Sequence, residues 1–156
     1  MSAEHQDHAH VIAFPPLIFL MHTVAAGVAH WLCPIPLLPS LPARLLGAGL
    51  TLWAGAQAFW ATRIMHRAGT NVNPGKPTIT IVAAGPYRYT RNPMYLSLCL
   101  LLLGIGLLLD GVLPILFVIP LAFTLHFGVI KREERYLAAK FGETYLAYQR
   151  RVRRWL

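Results

Sequence analysis

The sequence predicts an all-α integral membrane protein, with four transmembrane helices followed by a C-terminal amphipathic cytoplasmic helical tail, as one domain over residues 1–156. Three observations predict it. Apolar residues make up 56% of the chain and charged residues only 13%, with a mean hydropathy of +0.50, whereas soluble domains carry about a quarter charged residues. Four apolar segments stand out, at about 11–32, 43–64, 93–109 and 112–130. After residue 130 the chain becomes a run of basic and aromatic residues at helical spacing.

The elements follow in order. "HQDHAH" brings His5, His8 and His10 together near the start and reads as an unstructured tail rather than a metal site. The first ten residues lack a basic stretch and no small-residue cleavage site follows, so no cleavable signal peptide is expected. Within the first apolar segment, Pro15-Pro16 predicts a kink or a later helix start. "CPIPLLPSLP" has four prolines and no charge and reads as a rigid outer-face loop. In the second segment "GAGLTL" lacks the third glycine of a dinucleotide fingerprint. Trp53, Phe59 and Trp60 read there as interfacial or core filling.

Residues 65–92 are basic and rich in Gly and Pro, as expected of a cytoplasmic loop. Inside that loop "TITIVAAGPY" alternates like a strand but has no partner, so it reads as an extended segment lying against the helices. The third apolar segment is short for a span, which needs about 20 residues. It forms half of a tight hairpin with the fourth, turning at Asp110-Gly111. Gly104 and Gly106 there suit close helix packing. His22, His30 and His126 lie in apolar segments and are expected to donate to carbonyls of neighbouring helices. Cys33 and Cys99 make no metal or disulfide framework. In the tail, Leu137, Phe141, Tyr145, Tyr148, Val152 and Trp155 recur at helical spacing with basic residues between them, as in an interfacial anchor. Gly142 is expected to interrupt that helix.

The formal net charge of +8 raises the question of nucleic acid. Its location argues otherwise, because Lys and Arg concentrate at 63–91 and 131–154, each beside an apolar run. That distribution suits cytoplasmic flanks facing anionic membrane lipids. With four spans both termini are cytoplasmic, and the brevity of the chain points to a bacterial inner membrane.

Chemistry concentrates where the loop meets the third helix. "GPYRYTRNPMYL" crowds Tyr87, Arg88, Arg91 and Asn92 against Pro93, a residue suited to a helix's first turn. The start of that helix offers backbone N–H donors to an anion. Because the last two apolar segments are antiparallel neighbours, Glu133 and Glu134 lie near the 91–95 cluster. Donors on one side and carboxylates on the other suit a zwitterion. The same residues equally suit a structural ion pair between Arg88 or Arg91 and one of the glutamates.

"GPYRYTRNPMYL" followed by "REERYLAAKFGETYLAYQRRV" resembles the isoprenylcysteine carboxyl methyltransferase family and its bacterial members, which share their C-terminal half with the phospholipid N-methyltransferases. The resemblance covers residues 71–155. It implies S-adenosyl-L-methionine as cofactor, bound between the last helices and the tail, with a lipophilic small-molecule or lipid substrate entering from the bilayer. By the same resemblance the cofactor contacts are Thr80, Ile81 and Val82 in the extended segment, Tyr87 in the turn, Asn92, Pro93, Met94 and Tyr95, and Glu133 with Glu134 beside it. Asn92 stands where eukaryotic members carry His, and it keeps hydrogen bonding while losing a titratable ring.

Methyl transfer from a sulfonium needs alignment and water exclusion rather than a metal or a nucleophile–base pair. Arg91 and Asn92 are therefore expected to position the reactants, and Arg91 and Arg150 to hold an anionic group of the acceptor. Lipid phosphate is the competing partner for Arg150. Three other readings compete: a phospholipid amine N-methyltransferase, a nicotinamide-dependent membrane reductase similar in this C-terminal region, and a non-enzymatic membrane partner protein.

Overall fold

A computed structural model describes residues 8–37 and 41–156. Helix α1, Pro15–Leu32, starts later than the apolar run does. Pro15 and Pro16 occupy its first turn, where the missing N–H costs nothing. It stops at Cys33, held extended (φ −140°, ψ 80°) ahead of Pro34. Helix α2, Leu41–Arg67, outruns its apolar core at both ends. Helix α3 is Pro93–Leu108, and it ends in a turn where Asp110 takes a positive φ of 52°. The expected reversal at Asp110-Gly111 is thus in place, and an antiparallel bridge from Pro36 to Gly111 ties the segment after α1 to it. Of the proline-rich connection, residues 38–40 lie outside the described residues, as does His5.

The fourth apolar segment is one continuous helical rod, Val112–Phe141. It comprises α4 (Val112–Leu116), α5 (Val118–Leu125), a π turn (His126–Ile130) and α6 (Lys131–Phe141). The change from apolar to charged at Lys131 does not break the helix, which runs straight from the π turn into α6. Gly142 does break it, at φ 52°, ψ −129°, and α7, Glu143–Arg151, turns back. The described residues contain no strand, and the 78–84 segment runs extended without a ladder. By length and composition, Pro15–Leu32 and Val112–Phe141 are candidate membrane spans, and Pro93–Leu108 is a shorter apolar helix.

The core lies between α1, α3 and the rod, around Ile18, Cys99, Leu102, Leu121, Leu125 and Val129. Helices α2 and α3 meet through small residues. Gly47, Ala54 and Ala61 are the buried positions of α2, one every seven residues. A Cβ on Gly47 would lie 2.8 Å from the Gly104 carbonyl oxygen, so neither helix tolerates a side chain there. Gly106 has the same relation to Ile115 and Pro114. Both glycines therefore serve helix packing. Trp53, Phe59 and Trp60 face outward.

The described segments before α1 and after α7 both fold back onto other elements. The Ile12 N–H donates to the Gly128 carbonyl across the π turn (3.1 Å), and Arg132 Nη1 donates to the His10 carbonyl (2.8 Å). At the other end, residues 152–155 leave α7 extended and lie alongside residues 90–92.

Candidate functional site

The loop before α3, the start of α3, the polar half of the rod and α7 enclose a cup of about 110 Å³. Each wall has a local cause. Gly85, at φ 58°, lets the chain turn tightly against Trp60 and Ile64 of α2. A short 3₁₀ turn, Gly85–Arg88, then buries Tyr87, whose carbonyl accepts a 2.8 Å hydrogen bond from the Tyr148 hydroxyl. Pro93 starts α3, and no side chain caps that start. The extended segment is pinned where the Thr78 N–H donates to the Tyr136 hydroxyl (3.1 Å).

Tyr95 and Glu133 form the base of the cup. The Tyr95 hydroxyl donates to Glu133 Oε1 at 2.7 Å. Apolar residues end at Ile130, so Glu133 sits just past the hydrophobic part of the rod. Burial pushes its carboxyl up from 4.5 to about 7; the Tyr95 hydrogen bond opposes that rise and the neighbouring Glu134 charge adds to it. Burial also holds the Tyr87 and Tyr148 phenols well above their usual range. The Tyr87 hydroxyl is buried with no hydrogen-bond partner among the described residues.

Glu134, next in sequence, is in a different situation. Its two oxygens accept from Arg154, from Nε at 2.9 Å and from Nη2 at 2.7 Å. Arg91 Nη1 stands 3.1 Å from Oε1 on the other side. This last contact is an ion pair without hydrogen-bond geometry, so Arg91 Nε and Nη1 are buried with no hydrogen-bond partner among the described residues.

The structure gathers most of the residues singled out from the sequence. Thr80, Ile81, Val82, Tyr87, Arg91, Asn92, Pro93, Met94, Tyr95, Glu133 and Glu134 all line the cup. The amide of Asn92 is also engaged elsewhere, donating to the Arg154 carbonyl (2.9 Å). Arg150 lies outside, on an exposed face, paired with Glu143. Arg88 is exposed, so of the two arginines it is Arg91 that meets a glutamate.

Other walls had no distinct signal in the sequence. Ala9 from the N-terminal arm, Met65 and Asn71 line the cup, and Arg154 reaches it through Glu134. Tyr145 and Tyr148 belong to the tail's apolar stripe, which faces the cup. The histidines of the apolar segments make other contacts than donation to a neighbouring helix's carbonyl. His22 Nδ1 donates within its own helix to the Ile18 carbonyl (2.8 Å), His126 Nδ1 accepts from Trp155 Nε1 (3.3 Å), and His30 Nδ1 is buried without a partner among the described residues. His22 Nε2 does reach the neighbouring rod, 3.5 Å from Thr124 Oγ1.

Comparison with known proteins bears on what such a cup is for. The chain is 38% identical over 79 residues to the cobalt-zinc-cadmium resistance protein CzcN of Cupriavidus metallidurans, a stretch covering 50% of this chain and 36% of that protein. It therefore spans about a third of that relative's length. It is 48% identical over 63 residues, 40% of this chain, to the whole of an uncharacterised protein of Haemophilus influenzae. Residues 42–144 match the phospholipid methyltransferase family, a stretch running from α2 through the cup's loop and both glutamates into α7. A match over well more than half of the chain, carrying most of the cup with it, makes this protein a member of the phospholipid methyltransferase family.

Proposed function

We propose that the chain is an S-adenosyl-L-methionine-dependent integral-membrane methyltransferase of the isoprenylcysteine carboxyl methyltransferase type, acting on a lipophilic or membrane-partitioned acceptor. In this reading α1, α2, α3 and the apolar part of the rod, to Ile130, are four spans of a bacterial inner membrane, with both termini and the cup on the cytoplasmic side. One observation carries the reading: the Tyr95–Glu133 hydrogen bond, which fixes a desolvated carboxylate at the boundary between the apolar and charged halves of the rod.

The residues suit such a donor. Glu133 has no cationic partner among the described residues, and a positively charged group would restore its ionised form. Arg91, with N–H groups unsatisfied, suits a carboxylate, and the unpartnered Tyr87 hydroxyl suits a polar ligand atom. Thr80, Ile81, Val82 and Met94 give the apolar and backbone wall against which a flat ring can lie. When bound, the donor supplies an electrophilic methyl group on a cationic sulfur.

The chain's own residues have the remaining work. Tyr95 holds Glu133 in one orientation, and Tyr87, Tyr145 and Tyr148 keep water from the cup. Arg91 and Asn92 position the polar ends of the reactants, with Arg91 facing an anionic group. Arg150, exposed beside Glu143, meets lipid phosphate. The test is calorimetry of S-adenosyl-L-methionine on purified Glu133→Ala and Tyr95→Ala proteins, where binding should be lost. Unchanged affinity in both removes the assignment. A labelled-methyl assay against a membrane lipid extract then identifies the acceptor.

A further inference from the structure

Arg154 was not distinguishable within "RRVRRWL", yet its guanidinium is the one that reaches the cup's edge. A carboxylate offers two oxygens, and the arginine fork matches both. Arg154 takes both oxygens of Glu134, through Nε at 2.9 Å and Nη2 at 2.7 Å. Arg91 is left with the Tyr145 hydroxyl and an edge contact of 3.1 Å to one oxygen, and its Nε and Nη1 stay without a hydrogen-bond partner among the described residues. Its side chain is only 10% exposed.

We infer that Arg154 is a positioning residue for the donor site: by occupying Glu134 it keeps Arg91 from closing on that carboxylate and leaves the Arg91 N–H groups to the cup. The inference rests on the donor reading given above.

Fastening the C-terminal strap is the obvious competing role, and the strap has other fastenings. The Arg91 N–H donates to the Arg153 carbonyl (2.9 Å), Thr90 Oγ1 and Asn92 Nδ2 both donate to the Arg154 carbonyl (3.1 and 2.9 Å), and Trp155 Nε1 donates to His126. None of these uses the Arg154 side chain. With that side chain removed, the strap keeps its main-chain contacts while Glu134 loses both hydrogen bonds. The nearest donors able to replace them are Nη1 and Nε of Arg91.

The experiment uses the full chain in lipid nanodiscs as wild type, Arg154→Gln, Arg154→Lys and the double variant Arg154→Gln/Glu134→Gln. Arg154→Gln should weaken S-adenosyl-L-methionine binding about tenfold, the scale of one charge-assisted hydrogen bond. Arg154→Lys, a single-point contact, should fall between and gives the same reading should the Gln variant fail to fold. The double variant should regain most of the affinity, because the carboxylate competing for Arg91 is gone. A double variant no better than Arg154→Gln, or an Arg154→Gln protein binding like wild type, overturns the inference.

A second measurement needs no donor. The Arg91 Nε–H resonance of nitrogen-15 arginine-labelled protein, identified by its loss in Arg91→Lys, should shift and exchange more slowly in Arg154→Gln and return in the double variant. If the wild type binds no S-adenosyl-L-methionine, the donor reading fails, and this resonance still decides the role of Arg154. An unmoved resonance overturns it.

Discussion

Exchanging Glu133 for Gln removes one titratable carboxylate, keeps the side chain's length and leaves an acceptor for the Tyr95 hydroxyl. In the free cup that carboxyl is pushed up from 4.5 to about 7, mainly by burial. The unfolded chain ionises it at the ordinary value, so folding pays nothing for it in acid. As pH rises from about 4.5 to 7 the unfolded state gains and the folded state lags, and stability falls. Above about pH 7 the loss is constant at up to about 3 kcal/mol, since each pK unit is about 1.4 kcal/mol. Gln carries no such penalty. Glu133→Gln should therefore be more stable than wild type by up to about 3 kcal/mol near pH 8, with the difference vanishing toward pH 4.5.

Donor binding should move the opposite way. A cationic donor selects the ionised carboxylate, so wild-type affinity should rise by up to about tenfold per pH unit below pH 7 and level off above it. Glu133→Gln should bind about 30-fold more weakly at pH 8, the effect of about 2 kcal/mol, and show no such slope. Urea unfolding followed by labelling of the buried Cys99 thiol in a Cys33→Ser background reads the first effect, and calorimetry across the same pH range reads the second. A Gln variant less stable than wild type at every pH, together with flat wild-type binding, refutes the reasoning.

Two further perturbations test the frame around the cup. Gly47→Ala or Gly104→Ala should cost about 1–3 kcal/mol through overpacking, since the added carbon lies 2.8 Å from the Gly104 oxygen in the first and 2.9 Å from the Thr51 nitrogen in the second. Gly49→Ala, with nothing within 4 Å, should be neutral or stabilising, and Cys99 labelling during heating separates the three. Gly128→Ala pushes a methyl group into Ile12, 2.7 Å from its Cγ1, and should loosen the N-terminal arm. Faster proteolytic cleavage within residues 8–14, with an unchanged unfolding transition, is the expected result.

Much of this arrangement was legible because it depends on local rules. Proline at a helix start, glycine or positive φ at a turn and the length of apolar runs place α1, α3 and the Asp110 turn, and an antiparallel hairpin then brings Tyr95 to Glu133. The rod's continuation past Ile130 was harder to see, because a composition change suggests a boundary while backbone hydrogen bonding ignores it. The arginines of the tail were not legible. Arg150 and Arg154 have the same chemistry and similar sequence surroundings, and only the extended exit from α7 decides that Arg154 reaches Glu134 while Arg150 stays with Glu143. The N-terminal arm belongs with them, since the fit of Ile12 over Gly128 joins residues more than a hundred positions apart.

Glu133 and Glu134 illustrate why adjacency in sequence is a poor guide to shared work. Neighbours on a helix point about 100° apart, so a pair of identical residues addresses two different surroundings. One carboxylate faces Tyr95 and has no cationic partner among the described residues. The other accepts two hydrogen bonds from Arg154 and has Arg91 3.1 Å away, so its charge is already matched by cations of the chain. If both bound a cationic donor, the two Gln variants would weaken it alike. The geometry requires them to differ: loss of the Glu133 charge acts on the donor directly, whereas loss of the Glu134 charge strands two arginines and acts on folding first. A Glu134→Gln protein that is less stable yet keeps its donor affinity, beside a Glu133→Gln protein that is more stable and binds about 30-fold more weakly, is the pair of results this division of roles demands.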